Sequence, residues 1–422
     1  MRKIILVLLF ALTSCSGGYT SSSSKQLSSI SIVDRNGFSE TISVDDRLRQ
    51  YEQVNYLSSL PYQKVVRVYK RNGRGDIKSI ITSYYPNGEV KQYLEVINGR
   101  ANGPYKEWHP NGTQKLEATL IGGTADIEGG ADAGWLFDGM ARAWNEKGSL
   151  TAEIPYSKGS LDGTAKYYHS NGNIWKTISN SKNKANGKAE IYREDGTLLS
   201  SVEYLDDLKH GIAMRYWAKN TVASKELYNQ GYLISGVYHD INGSVVSEVV
   251  DGKGTRALFA KDYILELHEY KEGLPNGDVR VFNPNKQLVR KYHVLEGVKD
   301  GEEVIYYENT GNPTPKLSVE WRDDVINGTV KTWYPNGKQE SQKEINDNAK
   351  NGLSTAWYHD GSVMLIEEYQ KDKLQKGLYF KKGDKTPVSK VEKGMGVATI
   401  FDSQGNYRSK VIYYNGVPRD DD

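Results

Sequence analysis

Between Ser83 and Gly416, apolar and polar residues alternate in short runs separated by compact turn clusters. "TVKTWY" (329–334) rises with the period of two that a half-buried strand requires, and "SVMLIEEY" (362–369) is a returning segment of the same kind. The clusters between such runs repeat: "YYPNG" at 84–88, "WHPNG" at 108–112, "YHSNG" at 168–172, "WYPNG" at 333–337 and "WYHDG" at 357–361. Pro, Asn and Gly at successive turn positions suit a type I turn followed by a left-handed glycine, a three-residue hairpin loop. The pattern predicts strand, turn and strand, over and over.

Aligning the chain on that turn places an aromatic at one position: Tyr84, Trp108, Trp144, Tyr168, Tyr192, Trp217, Phe282, Tyr307, Trp333, Trp357, Tyr379 and Phe401, with a degenerate unit near Tyr238. A glycine closes each unit, at Gly103, Gly139, Gly163, Gly187, Gly211, Gly236, Gly277, Gly301, Gly328, Gly352 and Gly377, and is expected to turn the chain into the next. Most spacings are 24 or 25 residues. The fold class that follows is all-β: about twelve antiparallel hairpins over residues 73–416, forming an elongated twisted sheet. A one-layer sheet has no conventional core, so the aromatics are expected to stack as a structural column. Stretches near 121–135 and 250–263 interrupt the period and are candidate contact loops or tolerated insertions. Residues 27–72 read as an N-terminal cap with one helix, because Leu48, Tyr51, Val54 and Leu57 recur every three residues. Residues 417–422 read as an acidic tail.

"YLEVINGRANGPYKEWHPNG" (93–112) resembles the MORN repeat: an aromatic, Asn-Gly, a Gly four residues on, then an aromatic before the next Asn-Gly. "YKEGLPNGDVRVFNPN" (270–285) follows the same pattern. The 24-residue period is similar to the bacterial variant, the YwqK-type antitoxin-like repeat proteins. Asn220-Thr221, Asn285-Lys286 and Thr310-Gly311 depart from it at turns. The resemblance implies an extended, twisted antiparallel sheet of successive hairpins; it does not imply an enzyme.

The N-terminus changes the picture. A basic start and nine apolar residues (4–12) lead to "LTSC", which resembles a bacterial lipobox ending at Cys15, the only cysteine. Residues 1–14 are expected to be a lipoprotein signal peptide, and 15–26 a lipidated Cys15 with a Ser/Gly-rich tether reaching ~18 Å. Lipid on Cys15 would hold the chain to a membrane, each buried CH₂ contributing about 0.8 kcal/mol. Ser16 favours an outer-membrane lipoprotein facing the periplasm, or a cell-membrane lipid anchor if the host has one membrane. Losing Arg2 and Lys3 removes the formal charge of +2, leaving no basic field for nucleic acid.

Chemistry is sparse. The seven histidines show no metal spacing, with His109, His169 and His359 at repeat positions and expected to be exposed near hairpin tips. The doublets Asp45-Asp46, Asp206-Asp207 and Asp323-Asp324 read as solvated turns. No nucleophile elbow, phosphate loop or dinucleotide fingerprint is present in the sequence. The expectation is no catalytic residue, no metal and no cofactor. Candidate partner contacts are the second-strand tyrosines Tyr156, Tyr204, Tyr369 and Tyr413, with Asp126 and Glu128 from the first interruption. The reading is a membrane-anchored, non-enzymatic scaffold for a protein partner in the cell envelope. Two alternatives stand beside it: an immunity protein or antitoxin that neutralises a periplasmic toxin, and a carbohydrate or peptidoglycan-binding module. Pairing of terminal strands between copies leaves a homodimer open.

Overall fold

A computed structural model describes residues 26–60, 63–72, 75–127, 129–308 and 310–419. Cys15, the signal segment 1–14, all of the tether but its last residue, Glu128 and the last three tail residues lie outside them. The chain forms two compact units, one ending at Gly172 and one starting at Asn173. Both are antiparallel sheet, and the described residues carry 35 strands, more than twelve hairpins need. The excess comes from the N-terminal region, from short split strands such as Leu136–Phe137, and from an unforeseen hairpin.

In the first unit Ser39–Ile42 is one edge, followed in hydrogen-bonded order by Gln26–Asp34, Gln63–Arg71 and Ile77–Tyr84. The sheet then continues hairpin by hairpin to Gly163–Tyr168. Gln63–Arg71 bonds to strands on both sides, so the expected cap is part of the sheet. Its helix is shorter than expected: one turn, Asp45–Leu48, then the 3-10 turn Arg49–Tyr51. Beyond it the side chain of Asn55 accepts the Leu57 N–H (3.0 Å), a local turn in place of a further helical turn. Leu48 is buried, whereas Leu57 is exposed.

The expected lack of a core also needs correcting. Val65 and the pair Val66 and Val68 sit in two separate apolar clusters. One includes Ile30, Ile42 and Leu48 from the N-terminal region. The other includes Leu94, Tyr105, Ile127 and Trp135. The stretch 121–135 therefore supplies packing to the first unit. Trp135 meets Tyr105 edge-on at 4.4 Å between centroids, and its Nε1 donates to the Thr124 carbonyl (2.9 Å).

In the second unit the strands from Ile174–Ser181 to Val417–Arg419 each pair with the next in sequence, except that Val298–Lys299 and Gly301–Tyr306 both pair with Leu288–Leu295. The stretch 250–263 is not a loop: it holds the strand Lys253–Phe259, which pairs with Ile264–Lys271. Sequence alignment passed over it because its turn, 260–263, has no glycine.

Hairpin units reverse at a two-residue turn with both residues left-handed, such as Asn98-Gly99 (φ 49° and 76°) and Asp323-Asp324 (49° and 61°). That geometry matches strand twist and favours Gly, Asn and Asp. The closing glycines have a different task from the one expected. Gly103, Gly211, Gly328 and Gly352 lie inside strands. At Gly328 φ is 132°, and a Cβ would lie 2.8 Å from the Cβ of Glu320 on the neighbouring strand. The carboxylate of Glu320 accepts the Thr329 N–H (3.0 Å), and Glu344 accepts the Leu353 N–H (3.1 Å) beside Gly352. The pairing register shifts at each place, the bulge that bends a strand.

Candidate functional site

Nine of the twelve aromatics of the expected column share a pairing position. Tyr84, Trp108, Trp144, Tyr192, Phe282, Trp333, Trp357, Tyr379 and Phe401 each end a strand's pairing just before the turn. Tyr84, Trp217 and Tyr379 are buried, and the other nine, Tyr168 included, are half-buried. In two units the alignment is one residue off: Tyr216 and Tyr306 hold the column position, and Trp217 and Tyr307 follow it.

The position after the column joins one unit to the next. Tyr85 donates to the Trp108 carbonyl (2.9 Å), Tyr307 to that of Trp333 (2.6 Å), Tyr334 to that of Trp357 (2.7 Å) and Tyr358 to that of Phe380 (2.6 Å). Trp217 Nε1 reaches the His239 carbonyl (3.0 Å), Arg193 that of Tyr216 (2.7 Å), and a ring nitrogen of His109 lies 2.9 Å from that of Trp144. These side chains share a donor and a length, not a chemical class. His109 is therefore a half-buried joint, not an exposed tip residue, and His359 stacks on Tyr334 at 3.9 Å. Burial pushes the phenols of Tyr334 and Tyr358 up to about 12, with nearby carboxylates adding to it.

The opposite edge has its own joint. Asn98, Asp207, Asp324, Asn348 and Asp372 accept, through their side chains, a backbone N–H twenty-one to twenty-five residues earlier, at 2.7 to 3.0 Å. One member of each of two acidic doublets is thus structural. Asp126 is likewise engaged, by Arg67 (3.0 Å) and its neighbour's N–H. Of the second-strand tyrosines, Tyr156 lies against Phe137, Tyr369 is buried with its hydroxyl on Glu367 (3.1 Å), and Tyr204 and Tyr413 are half-buried. Tyr369 and Tyr413 share one apolar cluster.

A buried polar node lies in the second unit. Glu226 accepts Arg256 Nε (2.7 Å), the Tyr238 hydroxyl (2.8 Å) and the Tyr228 hydroxyl (3.0 Å). Burial opposes its charge, but the Arg256 guanidinium and the phenols hold its carboxyl below the usual range. Burial and the same carboxylate drive the two phenols far up. The node is saturated with partners.

The unforeseen hairpin opens a cleft of ≈ 280 Å³ at the turn edge. Trp217, Ile241, Tyr263 and Phe282 give it apolar walls, and Asp240, Asp262 and Lys286 stand at it. Ile241 is 51 % exposed, and the adjoining Val245 and Val246 are exposed too. Concave, aromatic and rimmed by charge, it suits an apolar side chain of a partner. Sequence reasoning named parts of it, Trp217 and Phe282 in the column and Tyr263 in the stretch 250–263, but not Ile241, and periodicity does not bring them together.

Residues 161–183 and 326–346 match a model of the MORN repeat variant. The first match covers the strands Gly163–Tyr168 and Ile174–Ser181, and the second the hairpin of Val325–Trp333 and Gln339–Asn346. No curated protein matches the chain. Among solved structures, a mutant Tc holotoxin pore from Photorhabdus luminescens is 11 % identical, with 93 % of this chain covered and a TM-score of 0.15. This chain spans 27 % of that one's length. A porin-like protein from Bacteroides uniformis is 9 % identical, covering 69 % of this chain and 94 % of that one, with a TM-score of 0.16. Neither likeness bears on fold or function. Among the described residues no helix is long and apolar enough to cross a membrane.

Proposed function

We propose that the protein is a membrane-anchored bacterial lipoprotein, held by lipid on Cys15, whose hairpin array is a non-enzymatic scaffold for a polypeptide partner. MORN repeats generally mediate protein or membrane interactions, and two segments match that repeat. The observation that carries the reading is the cleft at Ile241, where a regular hydrogen-bonded array is interrupted and leaves aliphatic and aromatic groups in reach of solvent. An outer-membrane, periplasm-facing address follows from Ser16 in the same reading.

Affinity capture of the full-length protein from its own envelope tests this. Wild type is expected to sediment with membranes and to retain a polypeptide that Ile241→Glu releases. Cys15→Ala is expected to leave the membrane fraction. Retention of the same proteins by wild type and Ile241→Glu counts against the cleft, and retention of glycan alone against a protein scaffold.

A further inference from the structure

Part of the second unit occurs twice. Lys209, Glu226, Tyr228, Leu233 and Tyr238 recur as Lys350, Glu367, Tyr369, Leu374 and Tyr379, each 141 residues on. The geometry recurs with the letters. Lys209 Nζ lies 4.9 Å over the Tyr228 ring, and Lys350 Nζ lies 4.6 Å over that of Tyr369. Glu226 accepts its phenols at 3.0 and 2.8 Å, and Glu367 accepts Tyr369 and Tyr379 at 3.1 and 2.9 Å. Leu233 and Leu374 each donate their N–H over 3.0 Å to a turn glycine, Gly273 and Gly416.

The copies then part. Gly254 and Gly396 mark the same place, with φ of 142° and 144° and with Tyr270 and Tyr413 as their pairing partners. Two residues later the first copy has Arg256 and the second has Ala398. Arg256 is the guanidinium that neutralises Glu226. Ala398 is fully buried and offers no charge. Glu367, only 9 % exposed, keeps the two phenols and forms no ion pair among the described residues. A buried carboxylate without a cation is costly.

The space beside it is open. Glu226 lines a cleft of ≈ 390 Å³ that Arg256 enters, and Glu367 lines the corresponding cleft, which is ≈ 590 Å³. Tyr334 and Phe401 are aromatic walls of the larger one, and Lys343, Lys350 and Arg408 also line it. None of these three bonds to Glu367, and Lys350 sits over the Tyr369 ring.

We propose that the cleft at Glu367 receives the guanidinium of an arginine side chain on a polypeptide partner, in the role Arg256 has in the first copy. The carboxylate offers the paired acceptors a guanidinium fork matches, and the aromatic walls suit its flat faces, which a compact ammonium would use less well. The inference rests on the scaffold reading and names one feature of its partner.

Calorimetric titration of the full-length, detergent-solubilised protein with acetyl-Gly-Arg-Gly-amide tests it, against the citrulline peptide of the same shape. Saturable binding is expected, at least tenfold weaker for citrulline and lost in Glu367→Gln. Ala398→Arg should rebuild the first copy's ion pair, abolish peptide binding and raise the thermal midpoint. Equal binding of the citrulline peptide, or binding that survives Ala398→Arg in a folded protein, would overturn the proposal. So would a silent wild type, whether or not Arg408→Ala uncovers binding, since uncovering would make Arg408 the occupant. If Ala398→Arg does not fold, the Glu367→Gln comparison decides. Envelope capture reads the scaffold itself, so a partner retained there while the peptide fails removes only the arginine site.

Discussion

The hydroxyl of Tyr334 donates a 2.7 Å hydrogen bond to the main-chain carbonyl of Trp357, one repeat further along the chain. Tyr358, one residue on, does the same to Phe380 at 2.6 Å. Each unit thus holds the next by its backbone, which tolerates almost any side chain at the receiving position. Coupling of this kind makes neighbouring units cooperative.

Tyr334→Phe keeps the ring and removes the donor. A loss of about 1 kcal/mol is expected, the usual net value of such a bond. Trp333→Ala, which deletes a half-buried ring at the column, should cost more. Urea unfolding followed by tryptophan emission compares the two, and equal midpoints for wild type and Tyr334→Phe would remove the joint from the account.

Gly328→Ala should destabilise by about 1–3 kcal/mol, because it forces a side chain into a left-handed backbone and against Glu320. Gly311 has nothing within 4 Å of a built Cβ and no left-handed backbone, so Gly311→Ala is the control. Thermal midpoints should separate the two variants.

Most of this architecture was legible in the sequence. Turn letters and the two-residue strand period gave the hairpins, because glycine and alternation are local requirements. The joints were hidden: Tyr85, His109, Arg193 and Trp217 do one job with four chemistries, so no letter repeats. The turn lies a few residues before the closing glycine, and because both turn and bulge need a left-handed backbone the letters do not separate them. The cleft at Ile241 gathers Trp217, Ile241, Tyr263 and Phe282 from separate strands and turns, which periodicity does not encode. Cys15 is read from the sequence alone.

Arg256→Ala leaves Glu226 buried beside two phenols and no cation. A cost of about 3–5 kcal/mol is expected, and adding Glu226→Gln should recover part of it. Denaturant midpoints of the single and double variants measure the recovery. A double variant as unstable as the sum of its parts would deny the coupling.

Alkaline stability follows from the raised phenols. Tyr334 and Tyr358 ionise at about 12 in the fold and near 10 when unfolded. The folded chain therefore holds their protons more tightly, a contribution complete below pH 10 and lost as pH rises toward 12. Ultraviolet titration should show a late tyrosinate fraction that shrinks in Tyr334→Phe, and an unfolding midpoint that falls across that window. Titration of every tyrosine near 10 in the native protein would contradict the burial.

The scaffold reading stands or falls on whether another polypeptide lies against the cleft in the cell. A photocrosslinking residue in place of Ile241, in the full-length protein in its own envelope, asks this directly. The same residue in place of the exposed Asp195, at a different turn, is the comparison. The account predicts a discrete adduct containing a second polypeptide from position 241 and none from 195. No adduct at 241, or the same adducts from both positions, would contradict it.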